Sequence, residues 1–151
     1  MHLIHGTAVA LGQAGILLRG PSGSGKSDLA LRLVDSGAAL IADDQVELSR
    51  ENGEIVMRAH PAIAGMMEAR GIGILRLPRL ASAGLRLVVD LADPGQIERL
   101  PERRFTEILG LSIPLVALAP FEASAAAKLR WALKALAGDE MRVADHPVSP
   151  A

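Results

Sequence analysis

The chain alternates between short apolar runs and glycine- or charge-marked breaks, with only two stretches at helical spacing. Leu3 to Leu11 reads as a strand that stops at Gly12. "GILLR", Gly15 to Arg19, is a second short apolar strand, and it leads straight into a loop of small residues. "KSDLALRLVDSG" follows, with Leu29, Ala30, Leu33 and Val34 on one helical face and Gly37 placed as the stop. "AALIA" is the next strand and ends on Asp43-Asp44. "VELSRENGEIVMR" predicts a hairpin turning at Asn52-Gly53. "IGILRL", "LRLVVDL" and "ILGLSIPLVALA" are further strands, and Pro114 inside the last suggests an edge or a bulge. "EASAAAKLRWALKALAG" predicts one long helix closed by Gly138. The expected architecture is an α/β domain, strand-rich with few helices, over residues 1–140, with a flexible tail over 141–151.

Composition narrows the function classes. A chain of 151 residues is enough for one domain with its own core. Half of it is apolar, which excludes a disordered chain. The net charge of −1 and the lack of long charge runs disfavour a nucleic-acid partner. With two Phe, one Trp and no Tyr, an aromatic base-stacking platform is not expected. There is no cysteine, hence no disulfide framework and no thiolate metal site. The N-terminus lacks the pattern of a signal peptide, and no apolar run reaches the roughly 18 residues of a membrane span. A soluble, cytoplasmic protein is expected, without a membrane partner.

The loop between the second strand and the first helix carries the clearest chemistry. Gly20, Pro21, Ser22, Gly23, Ser24, Gly25, Lys26 and Ser27 satisfy G-x-x-x-x-G-K-[ST], the phosphate-binding P-loop or Walker A pattern. Glycines there let consecutive backbone N–H groups turn inward as an anion nest, and the following helix adds its positive end. Lys26 is placed for the β- and γ-phosphates, and the Ser27 hydroxyl for Mg²⁺. About sixteen residues later Asp43 and Asp44 close a strand, on the side where ligand crevices gather in parallel sheets. Adjacent strand residues point to opposite faces, so the two carboxylates divide the work. One can complete a Mg²⁺ shell while the other takes a proton from an attacking hydroxyl.

"HLIHGTAVAL", "GPSGSGKSDLALRLVDSGAALIADDQVEL" and "MEARGIGILRL", in this order and spacing, resemble the HPr kinase/phosphorylase family. The resemblance runs well from about Leu3 to Leu91 and more loosely from Ile108 to Leu136. It implies a nucleotide-binding core like that of phosphoenolpyruvate carboxykinase. It also implies ATP and Mg²⁺ as cofactors, and phosphorylation of a serine on the phosphocarrier protein HPr in regulation of the phosphotransferase system and carbohydrate metabolism. The implied reverse reaction is phosphorolysis of phosphoserine-HPr by inorganic phosphate, giving pyrophosphate, and the implied assembly is a homohexamer. By position, His5 matches an active-site histidine and Asp44 the proton acceptor of the kinase direction. Asp43 falls nearer the metal, with the two roles open to exchange, and Glu68 matches a second metal ligand. Arg99 resembles a catalytic arginine, with Arg103 and Arg104 alternatives in the same charged segment.

The departures are specific. The family carries a further N-terminal domain, whereas this sequence begins almost at the kinase core, so a short form with the catalytic domain only is expected. The family's later P-x-R-P-G-R-N loop, associated with phosphorolysis, is replaced by "PLVALAPFEASAAAK". Two other functions fit the loop. A small-molecule kinase would need a lid with arginines, for which only "PERRF" is present. An ATP-sensing module without turnover would have no use for Lys26, Asp43, Asp44 and Glu68 together.

Overall fold

In the computed structural model, which describes residues 2–137, the apolar runs pair into one large sheet and a separate hairpin. Along the chain come β1 (His2–His5), β2 (Thr7–Leu11), β3 (Ala14–Arg19), α1 (Lys26–Asp35), β4 (Ala39–Ala42), β5 (Gln45–Glu51) and β6 (Glu54–Arg58). Then follow β7 (Met66–Ala69), β8 (Gly73–Arg76), β9 (Ser82–Leu91), β10 (Arg104–Ile108), β11 (Leu111–Leu118) and α2 (Ala125–Ala132). A π-helical turn, Leu133–Ala137, continues α2. This is a strand-rich α/β fold with few helices.

The sheet runs in the order β1-β5-β6-β9-β3-β2-β4. Strand β9 is its hub. One edge lies parallel to β3; the other is shared, antiparallel to β6 at Ser82 to Gly84 and parallel to β11 from Val88 to Leu91. Side chains alternate between two cores. Ile16, Leu18, Leu87 and Val89 face α1 and α2, meeting Leu29, Leu33 and Leu129. Leu17 and Val88 face the opposite way, toward Val46, Leu48, Ile55 and Met57. Leu85 belongs to the second core although Leu87 belongs to the first. The register slips there: Gly15 pairs with Leu85 but Ile16 pairs with Leu87, so Arg86 is one extra residue and the faces exchange beyond it.

The two ends of the strand order lie close together. Gly6 alone joins β1 at one end to β2 near the other, and Asp43-Asp44 joins β4 at the far end to β5. Chain this short can span only a few ångströms, so the sheet must roll. At the corner the Gly6 N–H donates to the Asp44 carbonyl at 3.1 Å. A Cβ on Gly6 would lie 3.0 Å from the Leu18 carbonyl oxygen. Thr7, fully buried, donates its hydroxyl to the Asp43 carboxylate at 3.0 Å.

Several sequence expectations are revised. The run Leu3 to Leu11 is two strands, broken at Gly6 because its halves serve opposite ends of the sheet. The run from Ile108 is not one strand: Leu109 and Gly110, both at positive φ, turn a hairpin between β10 and β11. Strand β10 itself was hidden by its charged, largely exposed residues. Pro114 pairs with Phe105, and β11 joins β9 only from Leu115 onward, so the missing donor falls outside the parallel ladder. The second helix starts at Ala125 rather than at Glu122. Its expected stop at Gly138 and the tail 141–151 lie outside the described residues. Helix α1 keeps its predicted buried face, and it closes as expected at Gly37, where the Ala38 N–H bonds the Leu33 carbonyl.

Two glycines separate backbone from side-chain constraint. A Cβ on Gly15 would meet the Gly84 carbonyl oxygen at 2.7 Å, whereas one on Gly84 would meet side-chain ends alone, Glu54 Oε1 at 2.9 Å and the Arg86 guanidinium at 3.9 Å. Gly15→Ala is expected to destabilise the fold by about 1–3 kcal/mol, lowering Tm by several degrees, and Gly84→Ala by under about 1 kcal/mol. Thr7→Val keeps the shape but leaves Asp43 without one donor and is expected to cost about 1–3 kcal/mol. Denaturant unfolding of the three variants measures all of these.

Candidate functional site

The glycine-rich loop spans the gap between β3 and α1. Arg19, the last residue of β3, is tied to Asp90 of β9 by two bonds, Nε to Oδ1 at 2.7 Å and Nη2 to Oδ2 at 3.1 Å. The loop then turns through Gly23 and Gly25, at φ 82° and 100°. Gly25 is the N-cap of α1 and can offer no side-chain acceptor, so the first N–H groups of the helix are left uncapped. Lys26 is only 6 % exposed. Its Nζ donates to the carbonyls of Gly20 and Pro21 at 2.7 and 2.9 Å, folding the ammonium back under the loop. Burial holds the Lys26 pKa below the ordinary lysine value, against the opposing pull of Asp44 and Asp43.

The two aspartates have different surroundings. Asp43 Oδ1 accepts from both Ser27 Oγ, at 2.8 Å, and Thr7 Oγ1, at 3.0 Å. It therefore links the start of α1 to the corner of the sheet. Asp44 sits at φ 72°, in the left-handed region that aspartate tolerates better than most residues. That turn sends its carboxylate away from Asp43 and toward His5, with Nδ1 3.4 Å from Asp44 Oδ1. The His5 and Asp44 side chains are 46 % and 72 % exposed, so both are open to a reactant.

A cleft of about 660 Å³ brings these groups together. His5, Lys26, Ser27, Asp43 and Asp44 line one side, and the β7–β8 hairpin brings Glu68 and Arg70 to it. Arg99 lies elsewhere, exposed in the connection between β9 and β10, and neither Arg103 nor Arg104 lines the cleft. Sequence reasoning missed Thr7 and Phe121. Thr7 carries no motif, and its only signal is its place two residues after His5. Phe121 is a large aromatic stranded between Pro120 and an alanine-rich helix, and that isolation was the signal available.

The donor set suits a phosphate chain with a hard cation. Uncapped helix N–H groups and a buried ammonium flank one loop. Ser24 Oγ, in that loop, is the single buried side-chain polar atom without a partner among the described residues. Ser27, Asp43 and Glu68 offer oxygen ligands. Among the described residues no three His, Cys, Asp or Glu side chains make a metal cage. Mg²⁺ commonly takes one or two carboxylates and completes its shell with phosphate oxygens and water.

Comparison with known proteins identifies the family. The family model of the HPr serine kinase C-terminal domain matches residues 1–129. A HPr kinase/phosphorylase of Treponema pallidum (strain Nichols) is 36 % identical over an alignment of 126 residues, and the match covers 75 % of this chain and 40 % of that protein. One from Clostridium tetani is 38 % identical over 99 residues, 66 % of this chain and 32 % of the relative. The chain thus spans about two fifths or less of the length of these curated relatives. The solved Hpr(Ser) kinase/phosphatase of Coxiella burnetii superposes with a TM-score of 0.72 at 26 % identity, covering 79 % of this chain and 86 % of that one. Among the described residues no helix is long and apolar enough to cross a membrane. A family model matched over most of the chain, and a fold shared with the solved relative, make this chain a member of the HPr serine kinase C-terminal domain family.

Proposed function

We propose that the chain is an ATP-dependent protein kinase core, with a P-loop site of the phosphoenolpyruvate carboxykinase-like kind, that phosphorylates a serine of HPr. The observation that carries this is the division between the two aspartates. Asp43 is held by Ser27 and Thr7, while Asp44 is exposed, with His5 3.4 Å from its carboxylate. A carboxylate bonded to the P-loop serine is placed for the metal, and an exposed one beside a histidine is placed to take a proton.

In the forward reaction the serine oxygen attacks the γ-phosphorus of ATP as the bond to the ADP oxygen breaks. Asp44 takes the serine proton, and His5 positions the Asp44 carboxylate. Lys26 leaves the Gly20 and Pro21 carbonyls to meet the phosphates, while the N–H groups at the start of α1 hold the charge that develops on them. Ser27, Asp43 and Glu68 would hold Mg²⁺, which supplies charge neutralisation on the phosphate oxygens. In the reverse direction inorganic phosphate attacks the phosphoserine phosphorus, pyrophosphate forms, and Asp44 returns the proton to the serine oxygen. Self-association belongs to the same reading. Exposed Leu3, Phe105 and Trp131 are apolar surface that an assembly, up to the hexamer of the family, would cover.

The test is phosphotransfer from ATP and Mg²⁺ to purified HPr, with the modified residue mapped by mass spectrometry. Asp44→Asn, which tolerates the same backbone turn, is expected to lower transfer about 10²- to 10⁴-fold with ATP binding retained. Excess inorganic phosphate should then strip the label and release pyrophosphate. Absence of any phosphoserine, or full activity in Asp44→Asn, would overturn the assignment.

A further inference from the structure

A second cavity, of about 560 Å³, adjoins the cleft on the other side of the glycine-rich loop. The two share Ser22, Gly23 and Phe121 as a common boundary. The walls of the second are apolar, with Pro21, Leu91, Pro94 and Pro120 among them, and Asp93 and Glu122 add carboxylates at its rim. Such a volume, largely apolar with few polar groups, fits a small planar ligand. Nothing in the phosphotransfer steps above uses it.

Phe121 is built into that boundary. Its side chain is 70 % exposed, yet its ring lies on the loop: a Cβ on Gly25 would fall 2.8 Å from Phe121 Cζ. The backbone on either side of it is clamped. Arg32 of α1 donates to the Pro120 carbonyl through Nη2 and to the Glu122 carbonyl through Nη1, the latter at 3.2 Å. Asp28, one turn earlier, holds the guanidinium through Nε at 3.1 Å. Lys128 of α2 pairs with Glu122 at 3.0 Å. The helix that begins with Lys26 therefore fixes where Phe121 stands relative to the phosphate loop.

Resting on the nucleotide reading of that loop, we propose that this cavity takes the base and ribose of ATP, with the base stacked on Phe121. The triphosphate crosses Ser22 and Gly23 to reach Lys26, and the carboxylates of Asp93 and Glu122 accept hydrogen bonds from the sugar hydroxyls or the exocyclic amine. One exposed ring serves one base, so the scarcity of aromatics in the chain is no obstacle. Phe121 lies within "PLVALAPFEASAAAK", the stretch that by resemblance stands in place of the family's P-x-R-P-G-R-N loop.

Calorimetric titration of the whole protein with ATP and with inorganic tripolyphosphate, both with Mg²⁺, separates the two halves of the ligand. Phe121→Ala is expected to weaken ATP about 5- to 100-fold and to leave tripolyphosphate unchanged, with Phe121→Trp restoring ATP affinity. The position is exposed, and a circular dichroism spectrum verifies that both variants fold. Equal ATP affinity in wild type and Phe121→Ala, or an equal loss for both ligands, overturns the stacking. A wild type that binds tripolyphosphate but gains nothing from the nucleoside overturns it too, while leaving the phosphate site standing. A wild type that binds neither overturns both readings.

Discussion

The hydrogen bond from the Gly6 N–H to the Asp44 carbonyl marks the constraint on which the rest of the molecule depends. Two chain crossings, one residue long at Gly6 and two at Asp43-Asp44, must pass each other where the ends of a rolled sheet meet. Neither crossing has room for slack. Every polar group at the corner is therefore set by the path of the backbone: His5 and Thr7 flank one crossing, and the two carboxylates are the other. The closure presents four polar side chains, His5, Thr7, Asp43 and Asp44, to one cleft beside the start of α1. Catalytic residues on short connections carried by a rigid scaffold gain precision that a long loop cannot give.

Much of this was legible before any coordinates. The glycine-rich loop, the face of α1 and the hairpin at Asn52-Gly53 follow from local patterns, because each is set by residues near one another in sequence. Asp43 and Asp44 were legible as a pair, but which of the two is anchored was not. It depends on Thr7 and Ser27, thirty-six and sixteen residues away, converging on one oxygen. The break at Gly6 was also hidden, since both halves of the run are apolar and only the sheet order requires a corner between them. Strand β10 escaped because its charged residues read as a loop. The hairpin at Leu109-Gly110 escaped because leucine is a poor herald of a left-handed turn. Arg99 was carried by resemblance alone, and it stands apart from the cleft.

Lys26 folds back onto the loop that precedes it. Its ammonium is buried against two carbonyls, with Asp43 and Asp44 compensating part of the desolvation. The carbonyl contacts are ones a phosphate chain can replace, since the lysine then exchanges neutral acceptors for anionic ones. The same helix reaches outward through Arg32 to the segment after β11, so both margins of the loop are anchored to one rigid element.

The extra residue at Arg86 has a structural meaning of its own. On β9 the odd-numbered side chains are all buried, but Ala83 and Leu85 enter one core while Leu87, Val89 and Leu91 enter the other. The strand thus carries two phases, and Arg86 is the seam between them. Upstream of the seam the phase is dictated by contact with β6; downstream it is dictated by the end of β3 and its Arg19–Asp90 tie below the loop. The two halves of the strand are thereby decoupled. A change of side chain on the β5–β6 hairpin side therefore meets one core, and a change on the half beside the loop meets the other.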